Sequence, residues 1–314
     1  MSRNVVVTGG SGFVGKRLQK VRPDWTYLSS KDVDLRSFYD VWDFLRENKP
    51  DAVIHLAGKV GGIKDNAEHP AEFFHQNVMM NTNIVHACYK AGVKRLLASL
   101  STCAFPDVVD KYPFTEEDLL RGPPAETNRA YGFAKRALYV QLQAYRNQYG
   151  LDYSCFCPSN LYGPEDNFDE DRSHFVPACI KKIDDAPESH VVEFWGTGTP
   201  LRQQLFVDDL CKAIPLLLER HHSDTPLIVA PDENLSIRDM AKLCRAIINK
   251  PLSFYFNGQL EGQHRKDGSN IKFKELFPDF KFTRFNIGLR KTYEWYKKEK
   301  KISSTKKDST NNGG

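Results

Sequence analysis

One stretch near the start of the chain, Asn4-Val-Val-Val-Thr-Gly-Gly-Ser-Gly-Phe-Val-Gly15, predicts the architecture of its first half. The β-branched run predicts a short buried strand, and apolar residues then recur at helical spacing up to Leu18. The glycines between strand and helix allow a tight turn and a close backbone approach to a pyrophosphate, which the helix start would face. The predicted dinucleotide site comprises Gly9, Gly10, Ser11, Gly12, Phe13, Val14 and Gly15.

The residues after a second predicted strand, 25–28, indicate which dinucleotide binds. Where NAD is used, an acid at this place usually holds the ribose hydroxyls. Here the chain has Ser29, Ser30 and Lys31, and two hydroxyls with a cation suit a 2′-phosphate. The sequence therefore favours NADP(H), while the neighbouring Asp32 keeps NAD as an alternative.

Strands and helices alternate through the first half of the chain. Further strands are expected at residues 52–57 and 94–100, and long helices at 71–91 and 127–149. This alternation predicts an α/β fold with a doubly wound parallel sheet, the Rossmann arrangement, and helices on both faces. Beyond Pro158 glycine and proline become frequent, which predicts a smaller, discontinuous α/β substrate domain.

We place the domain boundaries where this character changes. The predicted NADP-binding domain comprises residues 1–157 and 205–232, the substrate domain residues 158–204 and 233–302, and a disordered tail residues 303–314.

Composition argues against several classes of protein. The net charge is +4, but from Lys291 onward seven lysines face three acids, so the excess lies in the last helix and tail. We therefore expect no nucleic-acid partner. Seven cysteines without a CxxC pair fit reduced thiols in a cytoplasmic protein. No apolar run of membrane length and no metal-ligand cluster is visible, so neither a membrane nor a metal is expected.

A hydride-transfer set is indicated by Tyr131 and Lys135, which are four residues apart in a predicted helix and share one face. A lysine ammonium there should lower the pKa of the phenol, which then donates a proton to a carbonyl oxygen as hydride arrives. Ser101, just after a strand, can hold that oxygen. Cys103 and His174 add a thiol and an imidazole that plain hydride transfer does not need. From the residues alone, both structural and catalytic roles remain open for these two.

The chain resembles the GDP-L-fucose synthases, the bifunctional 3,5-epimerase/4-reductases of the extended short-chain dehydrogenase/reductases. The stretches that carry the resemblance are Thr8-Gly-Gly-Ser-Gly-Phe-Val-Gly15, Ser30-Lys-Asp-Val-Asp-Leu35, Lys59-Val-Gly-Gly-Ile63, Ser101-Thr-Cys-Ala-Phe-Pro106, Tyr131-Gly-Phe-Ala-Lys135, Pro158-Ser-Asn-Leu-Tyr-Gly-Pro-Glu-Asp-Asn-Phe168, His174-Phe-Val-Pro177 and Trp195-Gly-Thr-Gly-Thr-Pro200.

The resemblance implies a substrate, GDP-4-keto-6-deoxy-D-mannose, a product, GDP-L-fucose, and NADPH as the reductant. It implies that Cys103 is the base and His174 the acid of a double epimerisation. Ser101, Tyr131 and Lys135 would manage the ketone oxygen in both steps. By analogy with the fold, a homodimer through two long helices is expected.

The resemblance also implies binding residues. For the cofactor these are Asn77, Lys135, Pro158, Ser159, Asn160, Leu161 and His174, besides the glycine turn and Ser29, Ser30 and Lys31. For the GDP-sugar they are Lys59, Lys182, Trp195, Arg202, Glu261 and Lys266. Glu261 stands where the family often has Asp, and Lys182 where it often has Arg, so substrate affinity is more open than the chemistry.

Two alternatives remain at this point. The first is another extended family member, a nucleotide-sugar 4-epimerase or dehydratase, which keeps NAD tightly bound. A dehydratase usually has an acid where this chain has Ala104. The second is a non-catalytic NADP-binding protein. Net consumption of NADPH with the keto sugar would separate these readings.

Overall fold

The predicted alternation of strand and helix is present in the structure. The computed structural model describes residues 3–169 and 173–311, with side chains up to residue 302. The strands are β1 Val5–Thr8, β2 Thr26–Leu28, β3 Ala52–His55, β4 Arg95–Ser99, β5 Asp152–Pro158, β6 Asn160–Tyr162, β7 Val191–Phe194, β8 Leu201–Phe206, β9 Leu227–Val229, β10 Asn234–Ser236, β11 Ser253–Phe256 and β12 Arg265–Lys266.

The helices alternate with these strands in the first half and cluster around the smaller sheets in the second. They are α1 Phe13–Val21, α2 Phe38–Asn48, α3 Ile63–Glu68, α4 Pro70–Lys90, α5 Arg129–Tyr149, α6 Phe175–Asp185, α7 Val207–Arg220, α8 Ile237–Ile248, α9 Ile271–Leu276 and α10 Phe285–Asn311. Short 3₁₀ helices lie at Thr102–Ala104, Glu116–Asp118 and Glu126–Asn128. Within the described residues, none of the helices combines the length and the apolar content that crossing a membrane requires.

The main sheet has six strands in the order β2-β1-β3-β4-β5-β9, and every neighbouring pair is parallel. All residues of β1 and β3 are buried, as expected of strands covered by helices on both faces. The chain leaves β1 towards β2 and returns to β3 on the other side, which opens a crevice at the carboxyl ends of these strands. The predicted fold class is confirmed.

Two hydrophobic cores cover the two faces of this sheet. On one face, Val41 of α2, Val85 of α4 and Leu138 of α5 are buried together. On the other face, Leu18 of α1 and Ile214 of α7 pack in a second cluster. A third cluster joins α6, α8 and α10 in the smaller part of the molecule.

The smaller part contains two further sheets. β8 lies between β10 and β12 and also pairs with β6, while β7 pairs with β11. The short strand β12 runs parallel to β8 and places Lys266 opposite Arg202. This register brings two distant cations to one edge of the sheet.

Two details bear on the proposed boundaries, which stay a prediction. Phe273 and Phe277, at α9, pack in the second core of the main sheet, although residues 233–302 were assigned to the substrate domain. The last helix α10 continues through residues 303–311, where the sequence predicted disorder, and residues 312–314 of that tail lie outside the described residues. Once packing of its first turns has formed a helix, each added residue costs little, so a polar sequence can continue it.

Candidate active site

The glycine turn has the shape that a pyrophosphate requires. Gly9 has φ +77°, and a Cβ at Gly15 would lie 2.2 Å from the carbonyl oxygen of Gly9. α1 begins directly afterwards, with Gly12 as its cap and no side-chain cap, so its first N–H groups have no side-chain partner there. The turn therefore offers a close backbone approach and the positive end of a helix to an anion.

Asp32, the acid that kept NAD as an alternative, is hydrogen-bonded within the turn after β2. Asp32 accepts hydrogen bonds from the backbone nitrogen and the hydroxyl of Ser29, at 2.7 and 2.6 Å. The Ser29 hydroxyl and backbone bonds hold the pKa of Asp32 below its usual value. Ser30 and Lys31 are exposed. The carboxylate thus shapes the turn, while a hydroxyl and a cation remain at its surface for a 2′-phosphate.

Tyr131 and Lys135 project from one face of α5, as predicted, and both are buried, at 8% and 3% exposure. The ammonium of Lys135 donates to the carbonyl oxygen of Ser99 at 2.9 Å and lies 5.8 Å from the ring centre of Tyr131. Burial lowers the pKa of Lys135 to about 8. The pair lies next to the carboxyl end of β4, where Ser101 follows.

One electrostatic expectation for this pair is wrong. The sequence predicted that Lys135 would lower the pKa of the Tyr131 phenol. In the structure, burial raises that pKa, the nearby Cys103 adds to the effect, and a hydrogen bond with Ser101 opposes it. Desolvation is the largest cause, because the ring is almost fully enclosed. The phenol consequently stays protonated, which is the state a proton donor needs.

Cys103 lies in the 3₁₀ helix that follows β4. Its backbone nitrogen donates to the hydroxyl of Ser101 at 3.2 Å, and Lys266 Nζ donates to its Sγ at 2.9 Å. Burial would raise the pKa of this thiol, but the Lys266 ammonium, the Ser101 hydroxyl and Arg202 together outweigh burial and lower it. By contrast, burial raises the pKa of Cys157. The environment of Cys103 is that of a reactive thiol.

The contact of Lys266 with the thiol was not foreseen. The resemblance implied a role for Lys266 in holding the GDP-sugar, whereas the structure places its buried ammonium against Cys103, 163 residues away in the chain. No local signal in the sequence links the two residues.

His174 stands at the start of α6 without capping it through its side chain. The residue as a whole is exposed, yet desolvation of the imidazole and, after it, the charge of Lys266 lower its pKa. The charge of Lys266 lowers the pKa of both the His174 imidazole and the Cys103 thiol, so the predicted acid and base are both within electrostatic reach of one ammonium.

The segment after β5 presents an unpaired hydroxyl. Ser159 is buried, its backbone nitrogen donates to the carbonyl oxygen of Val229 at 3.0 Å, and its Oγ has no partner. Asn160 and Leu161 follow in β6, and Pro158 ends β5. A buried hydroxyl without a partner at the carboxyl end of the sheet is available to a ligand there.

Two of the predicted binding residues shape the backbone. The buried Asn77 amide donates to the carbonyl oxygens of Lys59 and Phe73, and its Oδ1 accepts from the Lys59 backbone nitrogen. Asn77 lies on α4, and these hydrogen bonds hold the backbone of the turn after β3 against that helix. The ammonium of Lys59 forms an ion pair with Glu72.

The remaining predicted substrate residues lie in the smaller part of the molecule: Lys182 on α6, Trp195 just after β7, Arg202 on β8 and Glu261 in the connection between β11 and β12. Lys182 donates to the carbonyl oxygen of Glu193 at 3.3 Å and lies 5.5 Å from the ring centre of Trp195, which is 46% exposed. Glu261 accepts from the backbone nitrogen and hydroxyl of Thr197. Burial lowers the pKa of the Arg202 guanidinium. Trp195 and Lys182 thus form an exposed aromatic and cationic surface.

The two chemical sets differ in how they are assembled. Ser101, Tyr131 and Lys135 all belong to the main-sheet part of the molecule. Cys103 belongs there as well, but its partner Lys266 lies on β12 and His174 on α6. Among the described residues, no three His, Cys, Asp or Glu side chains form a group that could hold a metal ion.

Comparisons with known proteins identify the family to which this chain belongs. Residues 5–229 match the NAD dependent epimerase/dehydratase family. The GDP-L-fucose synthase of Dictyostelium discoideum is 35% identical over 305 residues, which cover 94% of this chain and 95% of that protein. The GDP-L-fucose synthase of Escherichia coli is 31% identical over 311 residues, covering 94% and 96%.

A solved structure matches the whole fold. A GDP-L-fucose synthetase from Naegleria fowleri, in a crystal structure bound to NADP, superposes with a TM-score of 0.86 and is 33% identical, over 96% of this chain and 94% of that one. These similarities confirm the resemblance that the sequence stretches carried. The chain belongs to the NAD dependent epimerase/dehydratase family and, within it, to the GDP-L-fucose synthases.

Proposed function

We propose that this protein is a bifunctional 3,5-epimerase and NADPH-dependent 4-reductase that converts GDP-4-keto-6-deoxy-D-mannose to GDP-L-fucose. The observation that carries the proposal is a thiol held by an ammonium at 2.9 Å and close enough to the Tyr131–Lys135 pair to affect the pKa of the Tyr131 phenol. The names of the relatives support the enzyme class and the product, and the NADP bound in the Naegleria fowleri structure supports the cofactor. Neither a plain ketone reductase nor an NADP-binding scaffold needs the thiol–ammonium pair.

Epimerisation comes first in the proposed mechanism. The 4-keto group acidifies the hydrogens on carbons 3 and 5, and the Cys103 thiolate removes them. Ser101 and Tyr131 donate hydrogen bonds to the enolate oxygen that forms. The imidazolium form of His174 donates a proton to the opposite face of the carbon and is left neutral. Cys103 then releases its proton to solvent and His174 takes one up, so both groups can act again at the second carbon. Each inversion therefore needs a base on one face and an acid on the other.

Reduction uses the same oxygen site. The chemistry supplied by NADPH when bound is hydride donation to carbon 4. Tyr131 then gives its proton to the oxygen, and the Lys135 ammonium stabilises the charge left on the phenol. The residues proposed to hold NADPH are the glycine turn, Ser29, Ser30, Lys31, Lys135 and the segment from Pro158 to Leu161.

The GDP-sugar is proposed to lie across the smaller sheets. Trp195 offers a stacking face, and Lys182 and Arg202 offer cations to the diphosphate. Glu261 can accept hydrogen bonds from the base or the sugar. Lys59 borders the pocket from the turn after β3.

The proposal includes a homodimer and a cytoplasmic location. Phe74 on α4 and Phe133 and Val140 on α5 are exposed at 44%, 38% and 49%, which supports pairing through these two helices. All seven cysteines are free thiols, which supports a reducing compartment.

The decisive experiment is incubation with GDP-4-keto-6-deoxy-mannose and NADPH, followed by NMR of the product. We expect one NADPH to be oxidised for each L-sugar formed. Turnover without NADPH would favour an NAD-retaining 4-epimerase or dehydratase. A stable NADPH complex with no turnover would favour the non-catalytic alternative.

Lys31→Glu should change cofactor preference. A carboxylate would repel the 2′-phosphate, so the dissociation constant for NADPH should rise by on the order of tenfold, with a smaller effect on NADH. Fluorescence titration with each cofactor measures both constants. Lys281→Glu, at an exposed site outside the proposed pocket, controls for net charge. Equal effects on the two cofactors would remove Lys31 from the phosphate site.

Lys266→Met should make the Cys103 thiol less acidic. Without the ammonium, burial acts with less opposition and the pKa of the thiol rises. Mass spectrometry can follow the rate at which iodoacetamide alkylates Cys103 over a range of pH. The midpoint of this pH profile should therefore lie at a higher pH in the variant than in the wild type. Lys274→Met provides a matched lysine control on α9. A midpoint that stays in place would show that Lys266 does not set the thiolate.

A further inference from the structure

The thiol–ammonium pair depends on how two loops are aligned. Cys103 and Lys266 approach from different parts of the molecule, and their contact of 2.9 Å joins a 3₁₀ helix after β4 to the strand β12. A small shift of either loop would separate the two atoms. Something must therefore hold the segment around Cys103 in register with the segment around Lys266.

Gln263 connects these two segments directly. Its Nε2 donates to the carbonyl oxygens of Pro106 and Asp107, at 3.2 and 2.7 Å. Pro106 lies three residues after Cys103, and Gln263 lies three residues before Lys266. One amide group thus joins the two segments. On each side, the joined residue lies three positions from the reactive residue, Cys103 or Lys266.

Other contacts support the same alignment from outside. The Phe114 backbone nitrogen donates to the carbonyl oxygen of Asp267 at 3.0 Å, and the Ser269 nitrogen donates to that of Phe114 at 2.7 Å. On the α5 side, Arg136 Nε donates to the carbonyl oxygen of Ala104 at 2.6 Å. The Cys103 turn is thereby anchored to α5, and Gln263 supplies the link to the Lys266 side.

Gln263 can be replaced without changing the charges that surround the Cys103 thiol. The thiol faces Lys266 from β12, Arg202 from β8, Tyr131 from α5 and Cys157 from β5. Gln263 carries no charge. An uncharged replacement therefore changes the alignment of the loops without adding or removing charge at the site.

We propose that Gln263 is a positioning residue that holds Lys266 against Cys103 and so makes inversion precede reduction. The inference rests on the proposed function for the roles of Cys103 and NADPH. If the alignment is lost, deprotonation at carbons 3 and 5 slows while Tyr131 and Lys135 are untouched. Hydride from NADPH then reaches carbon 4, and the Tyr131 proton reaches its oxygen, before inversion. The products are NADP⁺ and a GDP-6-deoxyhexose that keeps the D configuration.

The test compares two substitutions in the loop between β11 and β12. Gln263→Met removes both hydrogen bonds of the amide and keeps a side chain of similar size. Gln259→Met alters an exposed glutamine of the same loop. Iodoacetamide alkylation of Cys103 across pH measures the thiolate without requiring turnover. We expect a higher midpoint for Gln263→Met, and the alkylation rate at neutral pH should fall about tenfold for each pH unit by which the midpoint rises. Gln259→Met should match the wild type. In a Lys266→Met background, Gln263→Met should raise the midpoint no further if it acts through Lys266.

Turnover gives the second readout. With the keto sugar, solvent deuterium uptake at carbons 3 and 5 should fall on the order of 10²-fold, as expected for a misplaced catalytic group. NADPH oxidation should fall much less, and D-configured product should appear. Gln263→Asn, which keeps an amide donor, should recover part of the exchange. It also carries the test if thermal melting shows that Gln263→Met does not fold.

The outcomes separate the two claims. An unchanged alkylation midpoint in folded Gln263→Met, or an equal loss of exchange and NADPH oxidation with no D-configured product, would overturn the positioning role. A raised midpoint in a protein whose wild type does not turn over this sugar would instead overturn the proposed function, and with it the order of inversion and reduction, while Gln263 would still be shown to hold Lys266 against Cys103.

Discussion

Tyr131→Phe should lower the rate of NADPH oxidation with the keto sugar by on the order of 10³-fold, the largest effect expected in this protein. The phenol is the proton donor to the oxygen on carbon 4, and burial keeps it protonated by raising its pKa. Phenylalanine preserves the ring that packs at 6.5 Å from Phe73 and removes only the hydroxyl. Stopped-flow absorbance of NADPH under saturating substrate measures the loss.

The matched control is Tyr139→Phe, on the same helix and two turns further along. The Tyr139 hydroxyl accepts a hydrogen bond from Gln143 at 2.7 Å, outside the proposed site. NADPH affinity should be unaffected in both variants. A Tyr131→Phe enzyme that oxidises NADPH at the wild-type rate would mean that another group supplies the proton.

Cys103→Ser should reduce solvent deuterium uptake at carbons 3 and 5 by on the order of 10²-fold or more. A serine hydroxyl is far less acidic than a thiol, so the Lys266 ammonium that stabilises the thiolate cannot produce an equivalent alkoxide. NADPH binding should stay unchanged, because the residues proposed to hold the cofactor, among them the glycine turn, Lys31 and Lys135, remain. NMR of the sugar recovered from D₂O without NADPH measures the exchange.

Cys244→Ser is the control for this substitution. Cys244 is buried on α8 in the third core, and burial raises the pKa of its thiol, so this variant makes the same substitution at a structural cysteine. Exchange at the normal rate in Cys103→Ser would show that another residue is the base. The Lys266–Cys103 contact would then need another explanation.

Much of the fold was predictable because it is encoded in short-range patterns. The β-branched run before Gly9 and the glycines up to Gly15 specify strand, turn and helix within twelve residues. The long helices α4 and α5 follow from apolar spacing, and the order of the elements then implies a parallel sheet. Shorter elements such as α3, β10 and α9 were not predicted, because a few residues carry too little periodicity to identify them.

The predicted chemistry divides in the same way. Tyr131 and Lys135 could be paired from their spacing, since four residues make one helical turn. The roles of Cys103 and His174 had no such spacing and came from the resemblance. The contact of Lys266 with the Cys103 thiol, and the effect of its charge on the pKa of His174, add a physical reason for these roles, and their catalytic function remains a proposal.

The amino-acid sequence alone was enough for the nucleotide turn, the doubly wound sheet, the family and the shared helical face of Tyr131 and Lys135, because each is written in neighbouring residues. The folded molecule was needed to see that Lys266 lies on the Cys103 thiol and that burial raises the pKa of Tyr131. Coulomb energy and desolvation depend on distance and enclosure in space. Residues 163 apart in the chain come within 2.9 Å through the pairing of β12 with β8, and no periodicity in the sequence records that approach.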